Sequence, residues 1–227
     1  HCNDIITATV LRTDAKTGNV TLELVNKTEA VLPKSEQVPG ESFADGQRIR
    51  VYVMDVFAGD KGPRMKISRT RAGLVERLFE IEVPEIYDGT IEIKSTAREA
   101  GSRTKLAVAS RDPNVDAVGA CIGPRGTRVT KIVEELGGEK IDIVEYSDDP
   151  VKFISAALSP ATVLQVIPEA DGSHVCRVAV PDNQLSLAIG NRGQNARLAA
   201  RLTGWKIDIR PESDFKPAPQ PEATPAE

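Results

Sequence analysis

Two arginines of this chain stand in the same short setting. Arg125 lies in Ile122-Gly123-Pro124-Arg125-Gly126 and Arg192 in Ile189-Gly190-Asn191-Arg192-Gly193, so both stretches read I-G-x-R-G. Each sits between two apolar segments of helical character. Paired glycines let a backbone turn sharply and leave no side chain between it and a ligand. A turn that opens a helix presents backbone N–H groups and the positive end of the helix dipole. A cation there is locally unfavourable, so an arginine at that place fits an anionic ligand. The bland reading is a glycine-rich turn with arginines in water. A single G-x-x-G would not decide between the two. Two framed copies favour the ligand.

The frame extends beyond the loops. Lys140-Ile141-Asp142-Ile143 follows the first and Lys206-Ile207-Asp208-Ile209 the second, with the second spacing one residue shorter. Loop, helix and strand recur in one order, which marks a tandem repeat. Charge follows the same frame. The net charge is −4, against a uniformly basic surface. Yet the charged residues from Ala117 to Val133 are Arg125, Arg128 and Lys131 alone. From Asn183 to Ile207 they are Arg192, Arg197, Arg201 and Lys206 alone. Local sign steers a phosphate backbone more than the total does.

Other chemistries find little support. No nucleophile–base pair, catalytic carboxylate pair or Walker-type G-K-[ST] appears, so an enzyme is not expected. Cys2, Cys121 and Cys176 form neither a disulfide framework nor a C-x-x-C metal site, and the two inner ones read as small core residues. His174 and Cys176 alone are too few to hold a metal. No metal or cofactor is expected. No run approaches a membrane span and no signal peptide is evident, which points to a reducing cytoplasm. At 227 residues with 27% charged and 40% hydrophobic side chains, the chain has the composition of a globular protein with more than one domain. Aromatics make up only 4%, so extensive base stacking is not the expected binding mode. The absence of an initial Met reads as that of an excised piece.

The elements that would position the loops follow in order. Residues 5–11, 20–24, 29–33, 47–53 and 65–67 read as strands of a small closed barrel, with turns at Lys16–Asn19 and Asp60–Pro63. Residues 69–82 read as a linking helix with Leu74, Leu78 and Ile81 inward, ended by Pro84. A hairpin over 90–95 and 104–109 comes next. A short helix from Pro113 places Val115, Val118 and Ile122 on its apolar face. After the loop, Thr127–Leu136 is a helix with Val129, Ile132, Val133 and Leu136 inward, stopped by Gly137-Gly138. The second unit repeats this order. Its helix 151–158 is capped by Asp148-Asp149-Pro150, and strands at 161–167 and 174–180 follow. A helix from Pro181-Asp182 runs through Leu185, Leu187 and Ile189. Then come a helix over 194–202 and a strand over 205–209. Residues 211–227 read as a disordered Pro/Ala/Glu tail.

The barrel resembles the S1-type OB-fold, from Pro33-Lys34-Ser35-Glu36, the long connection and Asp45-Gly46. It departs from that family where Val31-Leu32 replace an aromatic before the proline, which leaves Phe43 and Phe57 to touch bases; Phe57 could equally be core. The barrel then serves as RNA contact or as spacer. Helix, strand, strand, helix, G-x-x-G, helix, strand is the order of a bacterial-type KH domain, and both later units have it. The KH loop in general clamps a single-stranded nucleic-acid backbone. The expected fold is multidomain: an all-β S1-type OB-fold barrel over 1–68, then two α+β KH domains (α-β-β-α-α-β) over 69–146 and 147–211, and a tail over 212–227. Together they resemble the RNA-binding core of the NusA family of transcription termination/antitermination factors.

The resemblance implies a monomeric, non-enzymatic partner of single-stranded RNA, acting on pausing, termination and antitermination. It implies RNA polymerase as a partner, mainly through an N-terminal domain not in this sequence, and leaves room for other antitermination factors. In the expected interface RNA runs across both units. Gly123, Pro124, Gly126, Gly190, Asn191 and Gly193 lie against phosphates, and Arg125, Arg128, Lys131, Arg192, Arg197, Arg201 and Lys206 supply charge. The later basics are equally describable as solvated helix faces. Ile122 and Ile189, with Ile143 and Ile209 beside them, form an apolar floor under the bases or ordinary core. Pro124 lacks an N–H, so the first clamp is expected to be the weaker. Two other readings are an accessory region of an RNA-processing or degradation complex, in which the KH unit usually precedes the barrel, and a protein–protein adaptor with silent loops.

Overall fold

Alternation of apolar and polar residues builds the first part of the chain, because successive strand side chains face opposite sides. Ala8 and Val10, Val20 and Leu22, Ala30 and Leu32, and Ile49, Val51 and Val53 are all buried. They belong to β1 (Ile5–Thr13), β2 (Val20–Glu23), β3 (Glu29–Leu32) and β4 (Arg48–Gly59), with β5 (Gly62–Ser68) completing the set. The antiparallel order is β3-β2-β1-β4-β5, and β3 and β5 approach each other to give a nearly closed S1/OB-like barrel. The computed structural model describes residues 2–215. They fall into two compact units, residues 2–146 and 147–215.

The β4–β5 hairpin runs beyond its expected end at Val53. The pairing continues to Gly59↔Gly62 around Asp60-Lys61. Its outer residues show no apolar/polar alternation because both faces meet water: Val56 and Phe57 are exposed. Period-two reasoning has nothing to detect there.

The first α+β domain comprises α1 (Ala72–Glu82), α2 (Pro84–Tyr87), β6 (Ile91–Glu99), β7 (Arg103–Ser110), α3 (Ala117–Ile122), α4 (Thr127–Glu135) and β8 (Lys140–Glu145). β6 is antiparallel and β8 parallel to β7. Helix α1 departs from the expected face. Leu74, Val75, Leu78 and Phe79 are buried, whereas Ile81 is exposed. Packing against both α4 and β6 turns two adjacent residues inward per turn and rotates Ile81 to water. Helix α3 starts at Ala117, not at Pro113. Asp112 accepts from the Asn114 N–H at 2.9 Å, a local turn that competes with helix.

The second unit repeats the plan with α5 (Pro150–Ala157), β9 (Gln165–Pro168), β10 (Val175–Val180), α6 (Leu185–Ile189), α7 (Gln194–Thr203) and β11 (Lys206–Pro211). Asp149 caps α5 by accepting from Val151 N–H at 3.0 Å. Strand β9 begins only at Gln165, because the Thr162 N–H is held by Gln184 Oε1 at 2.7 Å and not by a strand. Residues 182–184 form a 3-10 turn before α6. Glu212–Phe215 also forms a 3-10 turn, with Ser213 N–H donating to Asp182. The rest of the expected tail lies outside the described residues.

Within the first unit, buried ions join the barrel to the α+β domain. Arg69, just past β5, donates to both Glu41 carboxylate oxygens at 3.0 and 2.7 Å and to Glu135 O at 3.2 Å. Arg98 and Glu139 pair at 3.0 Å with their side chains almost wholly out of water. Arg98 also donates to Arg69 O and Arg71 O at 2.8 Å, while Glu139 accepts from Gly101 N–H and Thr104 Oγ1 at 2.7 Å. Removing one partner of such a pair strands the other charge. Glu139→Ala is therefore expected to lower stability by about 3–5 kcal/mol in denaturant unfolding, against under about 1 kcal/mol for an exposed partner such as Glu29.

Candidate nucleic-acid interface

The two loops have the same backbone. Gly123 and Gly190 adopt φ/ψ of 78°/169° and 81°/171°, a region open essentially only to glycine. Arg125 and Arg192 are left-handed at 57°/26° and 53°/28°, and Gly126 and Gly193 at 71°/16° and 75°/12°. The internal bonds also match. Gly126 N–H donates to Gly123 O and Gly193 N–H to Gly190 O, each at 3.1 Å. Gly123 N–H reaches Gly119 O and Gly190 N–H reaches Ser186 O, each at 2.9 Å. Two unrelated flexible turns would not agree this closely.

A side chain at the first glycine of either loop would collide with the helix behind it. A Cβ at Gly123 would come within 2.6 Å of Arg128 Cγ, and one at Gly190 within 2.6 Å of the Asn195 backbone nitrogen. At Gly126 and Gly193 the space is open, so conformation alone selects glycine there.

The arginines divide by role. Arg125 and Arg192 are exposed and have no acidic partner among the described residues. Arg128 is different. Its Nη1 pairs with Glu85 at 2.9 Å and donates to Ala120 O at 2.8 Å, and its stem lies under Gly123. It braces the loop from behind. Arg197 Nη1 donates to Arg192 O at 3.0 Å and so also holds the loop backbone. Lys131 is exposed, 3.7 Å from Glu82, a surface pair of little energetic weight. Arg201 and Lys206 are exposed.

Ile122 and Ile189 are 38% and 36% exposed beside the loops, at the surface and not in the core. Ile143 and Ile209 are half-buried. The aspartates of the repeated marker belong to ion pairs: Asp142 lies 2.7 Å from Arg103 and 2.8 Å from Lys105, and Asp208 lies 3.1 Å from Arg210. Cys121 and Cys176 are core thiols. Burial, aided by Glu85 for Cys121, pushes them up to about 12 and about 11.

Sequence reasoning missed Asn195, which does in the second loop what Arg128 does in the first. It is buried, and its Nδ2 donates to Ala188 O at 2.9 Å and Leu158 O at 3.0 Å. Its signal was a polar residue at the same step after the loop, on an otherwise apolar helix face. In the barrel, Phe57 is 41% exposed and Phe43 packs against the core under Arg69. Phe57 lines a groove of about 780 Å³ with Val31, Met65, Lys61, Arg64 and Lys66.

With this geometry established, comparison with known families is direct. A model described as the NusA-like first KH domain matches residues 69–146, and one described as the NusA-like second KH domain matches 150–217. The chain belongs to the NusA family. It is 58% identical over 213 residues to the Bacillus subtilis protein named transcription termination/antitermination protein NusA, covering 94% of this chain and 56% of that one. Proteins of the same name from Mycobacterium tuberculosis and Thermus thermophilus are 51% and 50% identical, over 96% and 89% of this chain and 64% and 52% of theirs. The chain thus spans about half to two-thirds of the length of these NusA relatives.

The loop contacts rank the two leading glycines. Gly190→Ala meets the backbone of α7, whereas Gly123→Ala meets the Arg128 stem, whose displacement costs its bonds to Glu85 and Ala120 O but leaves the backbone of α4 in place. Both substitutions should cost about 1–3 kcal/mol from the shared strained conformation, and Gly190→Ala more than Gly123→Ala because its clash is with backbone, measured by thermal unfolding of each variant. Equal losses would contradict the packing described.

Proposed function

We propose that this chain is the single-stranded-RNA-binding part of a transcription elongation factor that acts on pausing, termination and antitermination. The observation that carries the RNA reading is the matched backbone of two glycine loops, each with one exposed arginine that has no acidic partner among the described residues. Gly123, Pro124, Gly126, Gly190, Asn191 and Gly193 lie against RNA phosphates, with Arg125 and Arg192 as direct cations. Lys131, Arg201 and Lys206 add charge beside them. Arg128 and Arg197 act by holding the loops. Ile122 and Ile189 meet the bases. The names of the relatives support the transcriptional role. RNA polymerase and other antitermination factors as partners, a cytoplasmic setting and a monomeric chain belong to the same proposal.

Salt separates direct contacts from braces. Single-strand binding loses affinity with log salt at a slope of roughly 0.7 per phosphate contacted. Arg125→Gln and Arg192→Gln should each reduce the slope by about that amount. Arg128→Gln should weaken binding with the slope unchanged. A labelled, unstructured RNA titrated at several salt concentrations reads both quantities. Gly126→Asp with Gly193→Asp should abolish binding in a folded protein; undiminished binding would remove the loops from the interface. Asn191 carries the N–H that Pro124 lacks, so Gly193→Asp alone should weaken binding more than Gly126→Asp alone.

A further inference from the structure

The two repeats differ sharply at one equivalent place. Lys140 N–H donates to Ser102 O at 3.0 Å in the first, and Lys206 N–H to His174 O at 2.9 Å in the second. The residue before each lysine is therefore equivalent: Glu139 in one, Trp205 in the other. Glu139 is sealed in its ion pair with Arg98, which reaches back to the chain leaving the barrel. Trp205 is half-buried, and its ring stacks on exposed His174 with centroids 4.9 Å apart and planes 13° from parallel. The pair is cross-strand, since Val175 opposes Lys206 in the parallel register.

Its placement suits a base. Trp205 stands one residue before β11, and by alternation it continues the face of Ile207 and Ile209. β11 is an edge strand, and α6, which ends in exposed Ile189, packs against it. An apolar strip thus leads from the loop end to the aromatic pair, about 13 Å along the strand from Ile209 to Trp205 at ~3.3 Å per residue. By the same alternation Lys206 shares the opposite face with Asp208, which pairs with Arg210 at 3.1 Å, so no acid of β11 stands on the strip. In the first repeat the same strip ends at the buried Arg98–Glu139 pair.

We propose that His174 and Trp205 form a stacking subsite for one base of single-stranded RNA, present in the second repeat only. The inference rests on the RNA-binding reading above. A flat, partly exposed ring pair offers a face to any base, and such stacking tolerates sequence. The subsite extends the second repeat's grip by contacts that are not ionic.

Trp205 is the sole tryptophan, so it reports on its own occupancy. The experiment titrates the whole chain with an end-labelled, unstructured RNA of about a dozen nucleotides. It follows RNA anisotropy and tryptophan emission together. The expected result is saturable quenching with the midpoint of the anisotropy curve. An abasic oligomer with the same phosphates should bind without quenching. His174→Ala, at an exposed position, should weaken binding about 5- to 100-fold with the salt slope unchanged, and Trp205→Phe, which keeps a ring, should bind within a few-fold of the parent, about 3-fold. Binding by anisotropy with unchanged emission, or unaltered affinity in His174→Ala, overturns the subsite and leaves the loop reading standing. No anisotropy change at all overturns both. Quenching by a polypeptide partner with none by RNA assigns the pair to protein recognition and also overturns it.

Discussion

The interface depends on the close approach of each loop to the first turn of the helix behind it. Gly123 and Gly190 hold a conformation that side chains do not adopt, and each touches its helix where a Cβ would stand. That contact fixes where the chain reverses, and so where the left-handed arginine that follows is aimed. Arg125 and Arg192 are strained as non-glycine residues in that region. Strain of this kind persists where surrounding structure over-determines it. Here the surroundings are the Gly–Gly hydrogen bond within each loop and the brace beneath.

The braces show two solutions to one requirement. In the first repeat a long cation does the work, with its stem under the glycine and its head shared between Glu85 and Ala120 O. In the second a short amide does it from inside the core. Arg128 carries a formal charge on the helix behind the first loop, yet its charge is already matched by Glu85. Asn195 carries none and is equally committed. Formal charge alone does not identify a phosphate contact; the partner does.

The buried Arg98–Glu139 pair explains why the repeats diverged at the start of their last strands. In the first repeat the chain arriving from the barrel must be held, and Arg98 binds the carbonyls of Arg69 and Arg71. A carboxylate at position 139 is then needed to match the guanidinium out of water. The second repeat has no such pair at that place, and an aromatic side chain stands there instead.

Much was legible from sequence because it was written locally. Strand alternation in the barrel, Gly137-Gly138 ending α4, Asp149 capping α5 and the doubled I-G-x-R-G each express a short-range rule of backbone or solvation. The repeat gave the order of elements, and the order gave the family. What sequence left open was decided by contacts between distant residues. Ile81 faces water because two neighbours pack on α1, not one. Ile122 and Ile189 lie at the surface because Cys121 and Ala188 take the inward positions beside them. Arg128 is a brace because Glu85 is folded against it. Pattern determines which faces a chain can bury; only tertiary packing decides which side chains remain free to meet a ligand.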